Sequence, residues 1–201
     1  MKTKEIIVTN EGKGMEEALA GTEQLGIEKG LSSKEKLHLR LLAEELFGMI
    51  RSITSAMEAK YYIEYENKSF RIYLETEVEE LTREMRKELL SVSSSGANAA
   101  AKGFMGKLKD MVSASLLPSE DATGMVTANM MNMGCSTGYH AEGAFEWTMA
   151  QYIETIKSEQ GDEAAEAWDE LEKSIIANIA DNISIFINKL NVKIEISKTF
   201  K

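Results

Sequence analysis

The sequence predicts an α+β fold, a two-layer α/β sandwich in which a mixed, mostly antiparallel sheet is covered by helices on one face. The first observation is a pair of segments, 61–78 and 182–200, in which apolar and polar residues alternate on both sides of a short turn. The second is a segment, 33–57, in which apolar residues recur every three or four positions. Alternation is typical of half-buried strands, and the longer period is typical of an amphipathic helix. Helices interleaved with hairpins indicate the α+β class.

Composition narrows the class of protein. The chain has 201 residues, enough for one large domain or for one domain with an insertion. Its net charge of −10 argues against a general nucleic-acid-binding protein, because phosphate binding needs clustered lysine and arginine. The single cysteine, Cys135, excludes an intrachain disulfide framework. The sequence contains neither a signal-peptide core nor a run of about 18 apolar residues, so we expect a cytoplasmic protein that binds no membrane and no nucleic acid.

The first third of the chain predicts one strand and two helices. The β-branched run Lys4–Asn10 predicts a strand, and Met15–Lys29 predicts a helix that ends at Gly30. The residues Ser32–Glu35 have the capping-box pattern of a helix N-terminus. A long helix should follow, with its buried face formed by Leu39, Leu42, Leu46, Met49, Ile53 and Met57.

A hairpin and a further helix are predicted next. Alternation in Tyr61–Tyr65 and again in Phe70–Leu74, on either side of a turn at Asn67–Ser69, predicts two paired strands. The segment Val78–Val92 then has a helical pattern.

The C-terminal part repeats the helix-then-hairpin order. One helix, capped by Asp162, should run through Ile179. A second hairpin should turn near Asn188–Asn191. Despite this similar order of elements, no internal repeat is visible in the sequence.

The middle of the chain has little periodicity. The segment Ser91–Glu146 contains the only proline, Pro118, and a methionine-rich stretch at 124–140. One amphipathic helix is predicted within 103–117. A long segment of this kind is typical of a lid, a binding loop or an insertion. We predict no metal site in it, because methionines more often fill gaps or make adaptable protein contacts than bind metal.

Two stretches of the chain resemble a known family. The stretch LLAEELFGMIRSI (41–53) resembles the N-box helix of the histidine-kinase-like (GHKL) ATPase superfamily, and 174–200 resembles its closing helix and last hairpin. Within that superfamily the chain is most similar to anti-sigma-factor kinase-like proteins. The resemblance implies a single domain, 1–201, with a core at 4–93 and 162–200 and an enlarged lid or insertion at 94–161.

The resemblance also implies a catalytic residue, but the surrounding motifs depart from the family pattern. Glu45 would be the base that orients the attacking water or hydroxyl. Four residues later the family has a magnesium-binding asparagine, whereas this chain has Met49, a soft thioether that binds Mg²⁺ poorly. If Glu44 is aligned instead, the ligand position is Gly48, which has no side chain. Glu75 would replace the aspartate that reads adenine. Alternatively, the two glutamates are simply the solvent-facing edge of the helix.

A glycine-rich segment, 93–107, is the third candidate motif. Glycine-rich backbone before a helix can bind phosphate, and lysines add positive charge. The predicted nucleotide- or phosphate-binding residues are Gly96, Lys102, Gly103, Gly106 and Lys107, together with Glu75 after the hairpin. The alternative is a flexible linker of small residues that ends in a surface helix.

Two functions of different classes are therefore expected. The first is a regulatory protein-binding module, related to anti-sigma-factor kinases, that has lost nucleotide binding or retains it weakly. The second is an active ATPase or serine/threonine protein kinase, for which the resemblance implies ATP and Mg²⁺ as cofactors. A protein partner is expected for the first, and a homodimer is a third alternative.

Overall fold

The computed structural model describes most of the chain, namely residues 1–53, 58–77, 103–115, 144–159, 161–188 and 191–201. These residues form six strands and six helices. The strands are β1 (Ile6–Thr9), β2 (Glu58–Glu66), β3 (Ser69–Glu77), β4 (Ala144–Thr148), β5 (Asn182–Asn188) and β6 (Asn191–Thr199). The helices are α1 (Met15–Glu28), α2 (Ser33–Ile53), α3 (Phe104–Ser115), α4 (Met149–Ser158), α5 (Asp162–Lys173) and α6 (Ile175–Ile179).

The strands form one six-stranded sheet in the order β1-β2-β3-β6-β5-β4. Every pairing between these strands is antiparallel. Helices pack against the sheet, so the predicted α+β class and two-layer arrangement are confirmed. Both predicted hairpins are present, as β2–β3 and β5–β6. The helix predicted at Val78–Val92 lies outside the described residues.

The described elements form two units with the same arrangement. The first unit is β1, α1, α2, β2 and β3, and the second is β4, α4, the α5–α6 pair, β5 and β6. In the β3–β6 ladder Ser69 pairs with Thr199 and Asn191 pairs with Glu77, so the first residue of each strand lies opposite the last residue of the other. A 180° rotation about an axis normal to the sheet therefore exchanges the two units in strand order and direction. This internal repeat is not visible in the sequence.

One face of the sheet, the core face, packs against the helices. Because side chains alternate across a strand, every second residue points into this core. The β-strand residues that form it are all buried. They are Val8, Ala59, Tyr61, Ile63, Phe70, Ile72, Leu74, Phe145, Trp147, Ile183, Ile185, Ile187, Val192, Ile194 and Ile196.

The long helix α2 begins as its sequence predicts. The Ser32 backbone N–H donates to Glu35 Oε2 at 2.6 Å, and the Glu35 N–H donates to Ser32 Oγ at 3.3 Å, which is the reciprocal pattern of a capping box. Four of its predicted core residues are 0% exposed, namely Leu39, Leu42, Leu46 and Met49. The predicted core residue Met57 lies outside the described residues.

The C-terminal helix differs from the prediction. A single helix from Asp162 to Ile179 was expected, but the helix breaks at Ser174, whose backbone is extended. The Ser174 side chain accepts a hydrogen bond from the Ala177 N–H and caps a new helix, α6. Gly161, not Asp162, is the N-cap of α5. The apolar spacing across the break suggested continuity, but Ile175 is 55% exposed.

A strand and a helix that we did not predict lie within 94–161, the segment expected to be a lid or insertion. Strand β4 pairs with β5, and α4 follows it directly, with Thr148 as its N-cap. Both contribute buried residues to the same core as the first unit. The predicted amphipathic helix in this segment is α3.

A buried hydroxyl pair joins α1 to the sheet. Thr22 is 1% exposed and Tyr61 is 2% exposed, and their hydroxyl oxygens are 2.6 Å apart. The Thr22 hydroxyl donates to the Ala18 carbonyl at 2.7 Å, so its oxygen accepts the proton of the Tyr61 hydroxyl. Burial raises the pKa of Tyr61, and the tyrosine stays neutral as this pairing requires.

We expect Thr22→Val to lower the free energy of unfolding by about 1–3 kcal/mol, because it leaves the buried Tyr61 hydroxyl without an acceptor. Tyr61→Phe removes the donor and should cost about 1 kcal/mol. The double variant should be less destabilised than the sum of the two single variants. Urea denaturation of the four proteins measures these differences. Strict additivity would contradict the hydrogen bond.

Candidate functional site

The predicted catalytic residue lies on α2, over the core face. Glu45 is partly exposed, and Glu44 is exposed and ion-paired with Arg40, with a 2.9 Å separation between Arg40 Nε and the carboxylate. Arg40 also pairs with Glu23 on α1. Met49 is 0% exposed and belongs to the hydrophobic core. The side chain at the position of the family's magnesium ligand therefore packs in the protein interior.

Glu75, the predicted adenine-binding residue, lies on the opposite face of the sheet. It follows Leu74, which points into the core, so its own side chain points to the other side. We call this side the outer face. There the Tyr62 hydroxyl donates to Glu75 Oε1 at 2.7 Å, and Lys193 Nζ lies 3.0 Å from the same oxygen. Since the sheet lies between Glu45 and Glu75, the structure does not bring these two predicted site residues together.

Three of the predicted phosphate-binding residues adjoin one another at the start of α3. Gly103 precedes the helix with a φ of 131°, in the region that favours glycine, and its carbonyl accepts the Lys107 N–H. Gly106 lies in the first turn. Lys107 Nζ lies 2.6 Å from the Glu170 carboxylate of α5, so its charge is balanced within the protein. Gly96 and Lys102 lie outside the described residues.

A pair of stacked tyrosines lies near the centre of the outer face. Tyr62 on β2 and Tyr73 on β3 are directly opposite in the ladder, with ring centroids 4.8 Å apart and an interplanar angle of 26°. Such cross-strand aromatic pairs stabilise a sheet surface. Tyr73 in turn lies opposite Glu195 of β6, the central pair of the β3–β6 ladder.

Two lysines lie over this stack. Lys2 Nζ is 3.6 Å from the centroid of the Tyr62 ring, and Lys193 Nζ is 4.6 Å from that of Tyr73. Both separations are in the range of cation–π attraction. Each tyrosine is only 5% exposed, whereas the Lys193 side chain is partly exposed. The lysine therefore covers the rings while its ammonium group stays accessible to solvent.

Glu75 connects the tyrosines to the lysines electrostatically. Partial burial opposes ionisation of its carboxyl group, but hydrogen bonds from Tyr62 and Lys193 outweigh burial and lower its pKa. Burial, together with the Glu75 carboxylate, raises the pKa of Tyr62. Burial also raises the pKa of Tyr73 to about 12. At neutral pH the Glu75 side chain is therefore a carboxylate, and both tyrosines are neutral.

A row of side chains crosses the outer face beside this stack. Ile7, Lys60, Glu75, Lys193 and Phe186 are successive cross-strand partners on β1, β2, β3, β6 and β5. We call these five residues the outer-face row. Its two apolar residues, Ile7 and Phe186, are exposed by 45% and 39%, and at roughly 4.8 Å per strand they are about 19 Å apart. Beyond Phe186 the exposed Glu146 of β4 continues the line to the edge of the sheet.

The middle of the outer-face row is charged. Lys60 is exposed, and no described residue forms an ion pair with it within 4 Å. Next to it, Glu75 and Lys193 form their ion pair. The row therefore has an exposed apolar side chain at Ile7 and another at Phe186 and, between them, a lysine that forms no ion pair with the described residues. This combination suits non-covalent contact with another protein.

Sequence reasoning did not identify this surface, although a signal for it exists. Tyr62 and Tyr73 occupy the polar phase of the predicted hairpin, where aromatic residues are unexpected. The structure does not place the described candidate residues around a metal site, because no group of three His, Cys, Asp or Glu side chains converges in the part of the chain that is described.

Comparison with known proteins gives no family for this chain. No family model, no curated protein and no solved structure matches it. None of the described helices is long and apolar enough to cross a membrane. The resemblance to GHKL ATPases therefore stays a prediction, and functional inference depends on the chain's own residues.

Proposed function

We propose that the protein is a regulatory protein-binding module that contacts its partner through the outer face of the sheet. The observation that carries this proposal is the outer-face row, with exposed apolar side chains at Ile7 and Phe186 and, between them, Lys60, which forms no ion pair with any residue that the structure describes. Interfaces combine apolar anchors with charged groups that set orientation, and this row offers both.

The chemistry of the row specifies the partner. A complementary protein surface has a carboxylate that faces Lys60 and apolar side chains that cover Ile7 and Phe186. The neighbouring Glu75–Lys193 pair is already neutralised, so it favours a partner that leaves this position uncharged or hydrogen-bonded. We therefore expect a partner surface with an acidic residue flanked by apolar side chains.

Three observations support a binding role over the alternative of a Mg²⁺-dependent ATPase or kinase. Phosphoryl transfer requires positioned metal ions that neutralise charge. The residue aligned with the magnesium ligand, Met49, is in the core. The proposed base and the proposed adenine-binding residue lie on opposite sides of the sheet, and Lys107 is paired with Glu170.

Site-specific photocrosslinking in the protein's own cells tests the proposal. Benzoylphenylalanine replaces Phe186 in one variant and Leu37, an exposed apolar position on α2, in the control; the two side chains are exposed by 39% and 54%. We expect a discrete adduct with one other protein from position 186 and none from position 37. Lys60→Glu should weaken the adduct at 186 by reversing the charge that the partner meets.

Other outcomes would contradict the proposal. Identical adducts from both positions would indicate non-specific contact. An adduct that contains two copies of this chain would replace the proposed partner with a homodimer.

A further inference from the structure

Helix α3 is the one described element that the two-unit repeat leaves out. Each strand of the sheet belongs to one of the two units. The α1–α2 pair belongs to the first unit, and the α4–α5–α6 set belongs to the second. α3 lies in the layer of helices, where it contacts α2 of the first unit and α5 of the second. It therefore occupies a groove between the two units and on the opposite side of the sheet from the outer-face row.

The contact in this groove uses one face of α3. Phe104, Leu108, Met111 and Val112 are each 0–1% exposed and have the spacing i, i+4, i+7 and i+8. This spacing places the four side chains on a single stripe of the helix. It is the same arrangement of anchors with which an amphipathic helix binds a groove on another protein.

The aromatic anchor enters a cluster supplied by the second unit. The Phe104 ring stacks on Tyr152 of α4, with centroids 6.0 Å apart and planes inclined by 24°. The ring centroid of Trp147 on β4 lies 6.2 Å from that of Phe104. Two aromatic side chains therefore form the part of the groove that accepts Phe104.

An ion pair fixes the orientation of α3 in the groove. Lys107 Nζ lies 2.6 Å from Glu170, whose side chain is only 16% exposed. A largely buried carboxylate costs free energy unless a cation or hydrogen-bond donors compensate its charge, and Lys107 supplies the cation here. The groove therefore selects a helix that has a lysine or arginine three residues after its aromatic anchor.

We propose that the groove between α2 and α5 is a helix-binding site that α3 fills within the chain. An amphipathic helix of a partner protein, with the same aromatic and aliphatic stripe and the same basic residue, competes with α3 for it. The proposal does not depend on the outer face, because the two surfaces lie on opposite sides of the sheet.

Binding in trans tests the proposal. A fluorescent peptide with residues 103–115 is titrated into the full-length chain and into its Leu108→Asp variant, in which the internal helix loses an anchor. Because α3 competes in the unmodified chain, the peptide should bind the variant at least about tenfold more tightly. A peptide with Lys107→Glu should bind poorly, and adding Glu170→Lys to the variant chain should reverse this preference.

Hydrogen exchange of the unmodified chain provides a test that does not require the variant to fold. If α3 is displaceable, its amides should exchange through local opening, faster than those of β3 and β6. Exchange of α3 only through global unfolding would overturn the proposal. Binding of the peptide to Leu108→Asp no tighter than that of a scrambled peptide would also overturn it.

Discussion

Met49→Asn is expected to lower the free energy of unfolding by about 3–5 kcal/mol. The Met49 side chain is 0% exposed within the core under α2. Asparagine would remove part of the packing there and bury an amide group among apolar side chains. Each of these effects costs free energy, and the second is largest where no hydrogen-bonding partner is near.

This substitution also tests the resemblance to the N-box, because it creates the asparagine that the family has four residues after its glutamate. Chemical denaturation measures stability, and Gly48→Ala is the matched control on the same helix. A Cβ at Gly48 meets no atom within 4 Å, so this variant should gain up to about 1 kcal/mol from helix propensity. A Met49→Asn protein that is as stable as the unmodified chain and binds ATP with Mg²⁺ would contradict the account.

Replacing either of two equivalent core residues by alanine is expected to have an effect of similar size. Ile72 is the fourth residue of β3 and Ile194 is the fourth residue of β6, and both are at most 1% exposed. The two-fold relation between the units gives them equivalent places in the central ladder. Each alanine variant should lose about 2–5 kcal/mol of stability.

Denaturant midpoints of the two variants measure the prediction, with Ile7→Ala as the control. Ile7 is 45% exposed on β1, so its loss should change stability by no more than about 0.5 kcal/mol. A large loss for one isoleucine and none for the other would contradict the equivalent positions of β3 and β6 in the core.

Local sequence signals predict most of the fold. The capping box at Ser32–Glu35, the apolar stripe of α2 and the alternation in both hairpins all depend on neighbouring residues, and the structure confirms each of them. These signals are strong because the burial of one face repeats along a long element.

The strand β4, the helix α4 and the break before α6 were not predicted. β4 has only five residues, and its last residue, Thr148, already caps α4. The strand is therefore too short for the alternation of apolar and polar residues to be recognised in the sequence. The break at Ser174 is also local, since the hydroxyl cap replaces helical hydrogen bonds while the apolar spacing continues past it. The two-unit repeat becomes visible only when strand order and register are known.

The candidate site was also only partly predictable from local sequence. The resemblance directs attention to Glu45 and Glu75, which are close to recognisable motifs but lie on different sides of the sheet. The outer-face row consists of residues from five strands, so only the register of the sheet brings them together. The aromatic pair Tyr62 and Tyr73 is the local feature through which sequence reasoning can locate such a surface.

Calorimetric titration with ATP and ADP, with and without Mg²⁺, tests most directly the central claim that this protein binds a partner without nucleotide chemistry. We expect no heat of binding at millimolar nucleotide in either condition. Binding near micromolar, about −8 kcal/mol, that strengthens with Mg²⁺ would contradict the claim and support an ATPase or kinase.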